Sequence, residues 1–238
     1  MQISALGIGY RKLNEQVLAS LEDVNISECC GQRFIGAGLK NKSVVIDGTP
    51  GNALGAYLDG GGITVKGNVQ DAVGDTMNDG EIIIHGDAGD ALGYAMRGGR
   101  IFVKGNSGYR TGIHMKEYQE KKPVIIVGGT AGSFLGEYLA GGLIVVLGLG
   151  TEGVPVGNFT GTGMHGGSIF IRGSKKPRSL PEQVCAKPAT AEDLSEIEPY
   201  LREFAANFSM DANQLLSDSY YVLRPNTNSP YKQLYTAN

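Results

Sequence analysis

The chain has 238 residues, a formal net charge of −3 and a pI near 5.7. That length can bury a sizeable core, and the charge supplies no basic field for nucleic acid or anionic membrane. No apolar run reaches spanning length, and the opening MQISALGIGYRKLNEQ lacks the charged and apolar regions of a secretory leader, so a cytoplasmic protein with no membrane partner is expected. Three cysteines, Cys29, Cys30 and Cys185, with no CxxC spacing, predict neither a disulfide framework nor a zinc or iron–sulfur site.

Taken from the start, residues 1–28 predict a cap, with a helix around Arg11–Leu21 carrying Leu13, Val17, Leu18 and Leu21 on one stripe. Glycine then dominates. Of 37 glycines, all but Gly7 and Gly9 lie between Gly31 and Gly173. An aliphatic quartet closed by glycine recurs, as in Ile63-Thr-Val-Lys-Gly67, Ile82-Ile-Ile-His-Gly86 and Ile101-Phe-Val-Lys-Gly105. The closing glycines Gly48, Gly67, Gly86 and Gly105 step by nineteen, and Gly128, Gly148 and Gly173 continue the series with longer steps. A fixed period of this size means a solenoid. Helical repeats need long glycine-free amphipathic runs, which are missing, whereas short β-branched quartets ended by glycine predict one strand per coil. The expected fold is all-β: a single-stranded right-handed parallel β-helix of about seven coils over residues 29–175.

Period two assigns the faces. Val44, Ile63, Ile82, Ile101, Val124, Ile144 and Ile169 form one predicted inward column, and Ile46, Val65, Ile84, Val103, Ile126, Val146 and Ile171 a second. Leu58, Met77, Met96, Met115 and Leu139 form a further one. The outward position between the first two reads Val45, Thr64, Ile83, Phe102, Ile125, Val145 and Phe170. A solvated face is seldom so apolar. It is expected to be covered by the chain's own end, by a second copy, or by another protein.

Two stretches break the period: the charged Lys116–Lys122, read as a surface loop, and the glycine-rich 149–166, whose Val154, Val156, Phe159 and Met164 suggest packing against a partner. Residues 176–238 follow as linker, helix and extended arm. Thr190-Ala-Glu-Asp-Leu marks a helix start, Leu194, Ile197, Leu201 and Phe204 keep helical spacing, and Pro199 is expected to split or kink the helix. The residues proposed for partner docking are Val45, Ile83, Phe102, Ile125, Val145 and Phe170 on the outer face, with Val156, Phe159 and Met164.

No constellation for chemistry assembles. His85, His114 and His165 are not spaced by whole coils, and no Ser/His/Asp or Cys/His arrangement follows from spacing. Asn52, Asp71 and Asp90 share one place in consecutive coils, a pattern read as turn stabilisation. The Gly-x-Gly runs are the solenoid's own turns, not a phosphate loop.

Gly31-Gln-Arg-Phe-Ile-Gly36, the Gly86-to-Gly93 unit, Gly136-Glu-Tyr-Leu-Ala-Gly-Gly142 and Gly163-Met-His-Gly-Gly167 resemble the GXGXG domain that ends the large subunit of glutamate synthase. With Ser229-Pro-Tyr near the end, the whole chain resembles the stand-alone version of that domain, and the coils over 48–112 also resemble the β-helical subunit of formylmethanofuran dehydrogenase. The resemblance implies a non-catalytic structural subunit that docks a glutamine amidotransferase and an FMN-dependent, iron–sulfur synthase in glutamate biosynthesis, with FMN and cluster held by those partners and no cofactor, metal or catalytic residue here. Gln2 stands where the amidotransferase carries its cysteine nucleophile. The alternatives are a scaffold subunit of a formylmethanofuran dehydrogenase-type complex and an independent homo-oligomeric binding module.

Overall fold

A computed structural model describes residues 1–226. Strand β1 (Gln2–Ser4) and helix α1 (Tyr10–Ala19) lead into eight strands that each pair in parallel with the next: β2 (Val24–Cys30), β3 (Ser43–Thr49), β4 (Asp59–Val65), β5 (Asp79–Ile84), β6 (Arg100–Val103), β7 (Val124–Val127), β8 (Ala140–Val146) and β9 (Gly166–Arg172). The chain is a parallel β-solenoid with helices at its ends, as its period predicts. A second, minimal ladder of single bridges links Val69, Ala88, Ser107, Ala131 and Val156.

Each coil turns back through backbone in the left-handed region. Gly36 and Gly55 show why glycine recurs there. Their φ values are +68° and +64°, and a Cβ on either would lie 2.7 Å from the Cδ1 atom of Ile63 or Ile82 in the next coil. Conformation and close approach thus demand the same residue. The isoleucine column fills the space that the glycine column leaves.

The inward columns hold as read in every quartet but the fifth, which is shifted by one; Ile144, Val146, Ile169 and Ile171 lie inside the coils as expected. Ile125 and Val127, not Val124 and Ile126, pair with Ile101 and Val103 and lie wholly buried inside the coils. The cause is the Gly128-Gly129 pair. Gly129, not Gly128, is the closing glycine, because its N–H donates to Gly105 O as that of Gly105 does to Gly86 O. A one-residue slip exchanges every side chain between faces.

Both period breaks are insertions at corners. Met96 to Ile101 spans five positions and Met115 to Ile125 ten, so the charged loop adds five residues between turn and strand. Val127 to Ala131 spans four and Val146 to Val156 ten, so the second insertion adds six and ends before Pro155. Residues 155–165 are regular coil, not part of an excursion.

At the first end α1 buries Leu13 and Val17 beneath the coils, while Leu18 and Leu21 face outward. Lys42 Nζ donates to Val17 O, Leu18 O and Ser20 O, satisfying carbonyls left open at the helix C-terminus. At the far end β10 (Val184–Pro188), α2 (Ala191–Phe208), α3 (Ala212–Ser217) and β11 (Tyr220–Pro225) close the structure. β11 runs antiparallel to β9, and β10 antiparallel to β11. The stretch from Tyr220, expected as part of an extended arm, is therefore a sheet strand at its start; Ser229-Pro-Tyr and the rest of that arm lie outside the described residues. Helix α2 has a full capping box between Thr190 and Asp193 and runs unbroken through Pro199, which withholds one donor without ending the helix.

Candidate functional site

The apolar outer face is covered by the chain itself. Phe102, Ile126, Val145 and Phe170 pack with Ile197, Leu201, Phe204 and Phe208 of α2 in a second core, separate from the one inside the coils. Phe204 stands edge-on to Phe102 at 6.2 Å between ring centroids and to Phe208 at 4.8 Å. Ion pairs tie the helix down: Lys122 to Glu196 at 2.7 Å, and Arg224 to Asp193 and Glu196 at 2.7 and 3.0 Å.

Of the residues proposed for docking, Phe102, Val145 and Phe170 are buried under α2 and are not open to another protein. Ile125 and Met164 lie inside the coils, the first through the slip at Gly128 and the second because it continues the Leu139 column. Val156 is half-buried at the bridge to Ala131 and packs on the inner core. Ile83 is half-covered at the edge of the α2 seam, and Val45 lies beyond it, half-buried. Phe159 alone is well exposed, at 50%.

Phe159 belongs to a surface that alternation along strands does not reveal. The left-handed turn places its residues in columns: Phe34, Ala53, Ala72, Ala91, Arg110, Phe134 and Phe159 in one, and Gly38, Tyr57, Thr76, Ala95, His114, Tyr138 and Gly163 in another, all at positive φ. Along the first, the Phe134 and Phe159 rings stack at 5.1 Å, and the Arg110 guanidinium lies 5.2 Å over Phe134 while pairing with Glu137 at 3.0 Å. Along the second, His114 stacks on Tyr138 at 5.0 Å with 7° between planes, and Tyr94 meets His114 edge-on at 5.9 Å. Phe34, Tyr57, Tyr94, Tyr109 and Phe159 remain 40–58% exposed. Comparing residues one coil apart, nineteen positions in the regular coils and 24 or 25 where an insertion intervenes, rather than alternate residues, is the signal that finds this face.

Beside these columns runs a ladder of side-chain acceptors. Asp90 N–H donates to Asp71 Oδ1 at 2.9 Å and Tyr109 N–H to Asp90 Oδ1 at 2.8 Å, while Asn68, Asp87 and Asn106 receive the next coil's N–H in a parallel series. Each satisfies a turn amide of its neighbour, which is the turn-stabilising role that their register implies.

The remaining titratable groups read as structure. Burial pushes the Cys29 thiol up to about 11, so it stays protonated, and its Sγ lies 3.4 Å from Gln32 Oε1. Burial, then repulsion from Glu203, raises the Glu81 carboxyl near the C-terminal part of α2. Among the described residues no three His, Cys, Asp or Glu side chains converge as metal ligands, and no helix is long and apolar enough to cross a membrane. A polar cleft of about 290 Å³ lies where the second insertion meets Arg172 and Asp218, which pair with each other at 2.6 Å, with Glu152 and Lys175 also on its wall.

An uncharacterized protein of Methanocaldococcus jannaschii is 42% identical to this chain over 249 aligned positions, covering 98% of this chain and 95% of its own. The crystal structure of the formyltransferase/hydrolase complex from Methylorubrum extorquens, solved with methylofuran, contains a chain of the same fold: TM-score 0.63, 19% identity, 92% of this chain and 88% of that one covered. The family model described as GXGXG motif matches residues 23–226. The chain belongs to the GXGXG motif family.

Proposed function

We propose that this protein is a structural subunit of a multi-subunit oxidoreductase of glutamate synthase type, holding an amidotransferase chain and an FMN- and iron–sulfur-bearing synthase chain without supplying catalytic groups. The observation that carries the reading is the turn face. Its stacked, partly exposed aromatic and arginine side chains are the residue types that dominate protein interfaces; Tyr10 of α1 meets Phe34 at 6.1 Å at the first turn, while Tyr57, Tyr94, Tyr109 and Phe159 stay 40–58% exposed. The motif resemblance supports the glutamate synthase reading. A second reading, a scaffold in a formylmethanofuran dehydrogenase-type complex, is favoured by the structural neighbour's place in a formyltransferase/hydrolase complex.

Purification of the tagged full chain at native expression level, with its companions identified by mass spectrometry, decides between them. Amidotransferase and flavin synthase chains support the first reading, and formyltransferase- or dehydrogenase-type chains the second. A free monomer or a self-assembled oligomer alone sinks both. The isolated chain given glutamine and 2-oxoglutarate is expected to show no turnover.

A further inference from the structure

We infer that the first end of the solenoid is a two-fold interface with a second copy of this chain, in which β1 pairs antiparallel with its counterpart and α1 packs antiparallel on the other α1. It stands apart from the question of which companion chains the protein holds.

Exposed aliphatic surface is the first observation. Among the described residues, the exposed Leu, Ile, Val and Met side chains are Met1, Leu6, Leu18 and Leu21, and all four lie in this cap. Leu21 is fully exposed and Leu6 is 71% exposed. The strand face, by contrast, is apolar and sealed by α2. Aliphatic side chains left together at one end mark a contact with another molecule.

The sheet edge is the second. The Asn25 N–H donates to Met1 O and the Ala5 N–H to Ser27 O, both at 2.8 Å, so Ile3 faces β2 while Gln2 and Ser4 turn their own N–H and C=O groups away from it. Both residues are exposed. The opposite edge is blunted, because the Val184 N–H of β10 is taken by Pro181 O and Pro188 has no N–H to give. About a two-fold through Ile3, Gln2 of each copy meets Ser4 of the other, and each pair exchanges two hydrogen bonds.

Charge selects a second copy as the occupant. Helix α1 returns the chain from the end of β1 to the start of β2, which is parallel to β1, so the same two-fold runs the two helices antiparallel. The exposed stripe of α1 begins with Arg11 and Lys12, passes Glu15 one turn on, and reaches Leu18 and Ala19; Leu21 and Glu22 follow the helix. Glu22 is 82% exposed, with the Met1 amino group 3.6 Å away. Bases in the first turn and an acid past the end oppose the helix's own dipole, and Gly9 gives the N-terminus no side-chain cap. Within one copy that polarity is unfavourable. Across an antiparallel pair it is a match, with Arg11 and Lys12 of each copy alongside Glu22 of the other. A wholly basic or wholly acidic partner would suit only one half of the stripe.

Sedimentation of the purified full chain over a concentration series tests this, together with the copy number of the complex isolated at native expression level. The wild type is expected to be a dimer, with two copies in each complex. Leu18→Glu with Leu21→Glu alters side chains that face outward, and should weaken the dimer about 100-fold or more while leaving the thermal transition of the chain in place. Lys12→Glu should weaken it about tenfold, and adding Glu22→Lys should restore it. The two positions are roughly 15 Å apart along one chain, so they can compensate only across the two-fold. Glu120→Lys on the corner hairpin should change nothing. A single chain at every concentration overturns the inference, and so does a dimer that survives the leucine pair or a charge swap that restores nothing. If the leucine variant sheds another companion instead of the second copy, the cap belongs to that companion and the inference falls. The identity of the companions decides the earlier readings and copy number decides this one, so the two fail separately.

Discussion

Two faces of one solenoid solve opposite problems. The strand face from β5 to β9 is apolar and sealed by α2, with ring-to-ring packing and ion pairs at the seam. The turn face is aromatic and acidic and stays open, with its backbone hydrogen bonds and acceptor ladder satisfied coil to coil. Apolar surface by itself therefore does not mark a docking site in such a fold. What marks it is a side chain that the fold can do without, and such residues stand on the turns.

The sharpest way to separate the faces is to compare Phe204→Ala with Tyr94→Ala. The first opens the seam and is expected to cost about 3–5 kcal/mol and to expose the segment between β9 and β10 to limited proteolysis. The second should change stability by less than about 0.5 kcal/mol while weakening partner capture. Equal destabilisation in chemical denaturation would break the comparison. Next comes the turn backbone. Gly55→Val adds left-handed strain to a collision with Ile82 and should cost about 2–5 kcal/mol, whereas Gly38, whose Cβ would meet nothing within 4 Å, should cost only about 1–2 kcal/mol when changed to Ala. If the two cost the same, the close approach to the isoleucine column is not what requires glycine. The smallest effect lies at the seam. The folded-state pKa of Glu81 stands above its ordinary 4.5, so its stabilisation is full below that value and is lost as pH rises through the raised one. Glu81→Gln should raise the Tm at pH 7 by under about 3 °C and leave it unchanged near pH 4. A gain that persists at pH 4 would assign the effect to packing.

Period and inward columns are legible because glycine and β-branched residues have narrow backbone preferences and repeat every nineteen positions. The register fails where that contrast vanishes. Val124-Ile-Ile-Val127 is aliphatic on both faces because α2 covers one and the core the other, and the double glycine after it offers two closing residues. Alternation then carries no information, and only the pairing of Ile125 with Ile101 decides. The self-covering helix is legible as a helix from Thr190 onward, but its destination depends on non-local packing. The aromatic turn face escapes a reading along the chain because its residues, Phe134 and Phe159 among them, sit in neither a strand nor a helix and are related only across coils. Phe159 stands out for another reason, its place in a glycine-rich stretch.

The corner insertion at Lys116–Lys122 has a practical side. Its four-residue hairpin, closed by reciprocal hydrogen bonds between Tyr118 and Lys121, leaves and rejoins the coil without shifting the Met115 or Ile125 columns. Lys121 and Lys122 anchor its base to Asp79 and Glu196, while the tip at Gln119 and Glu120 is exposed. A fluorophore-binding tag or peptide epitope grafted between Gln119 and Glu120 therefore gives a reporter on a rigid mount, from which the position of each bound chain can be triangulated.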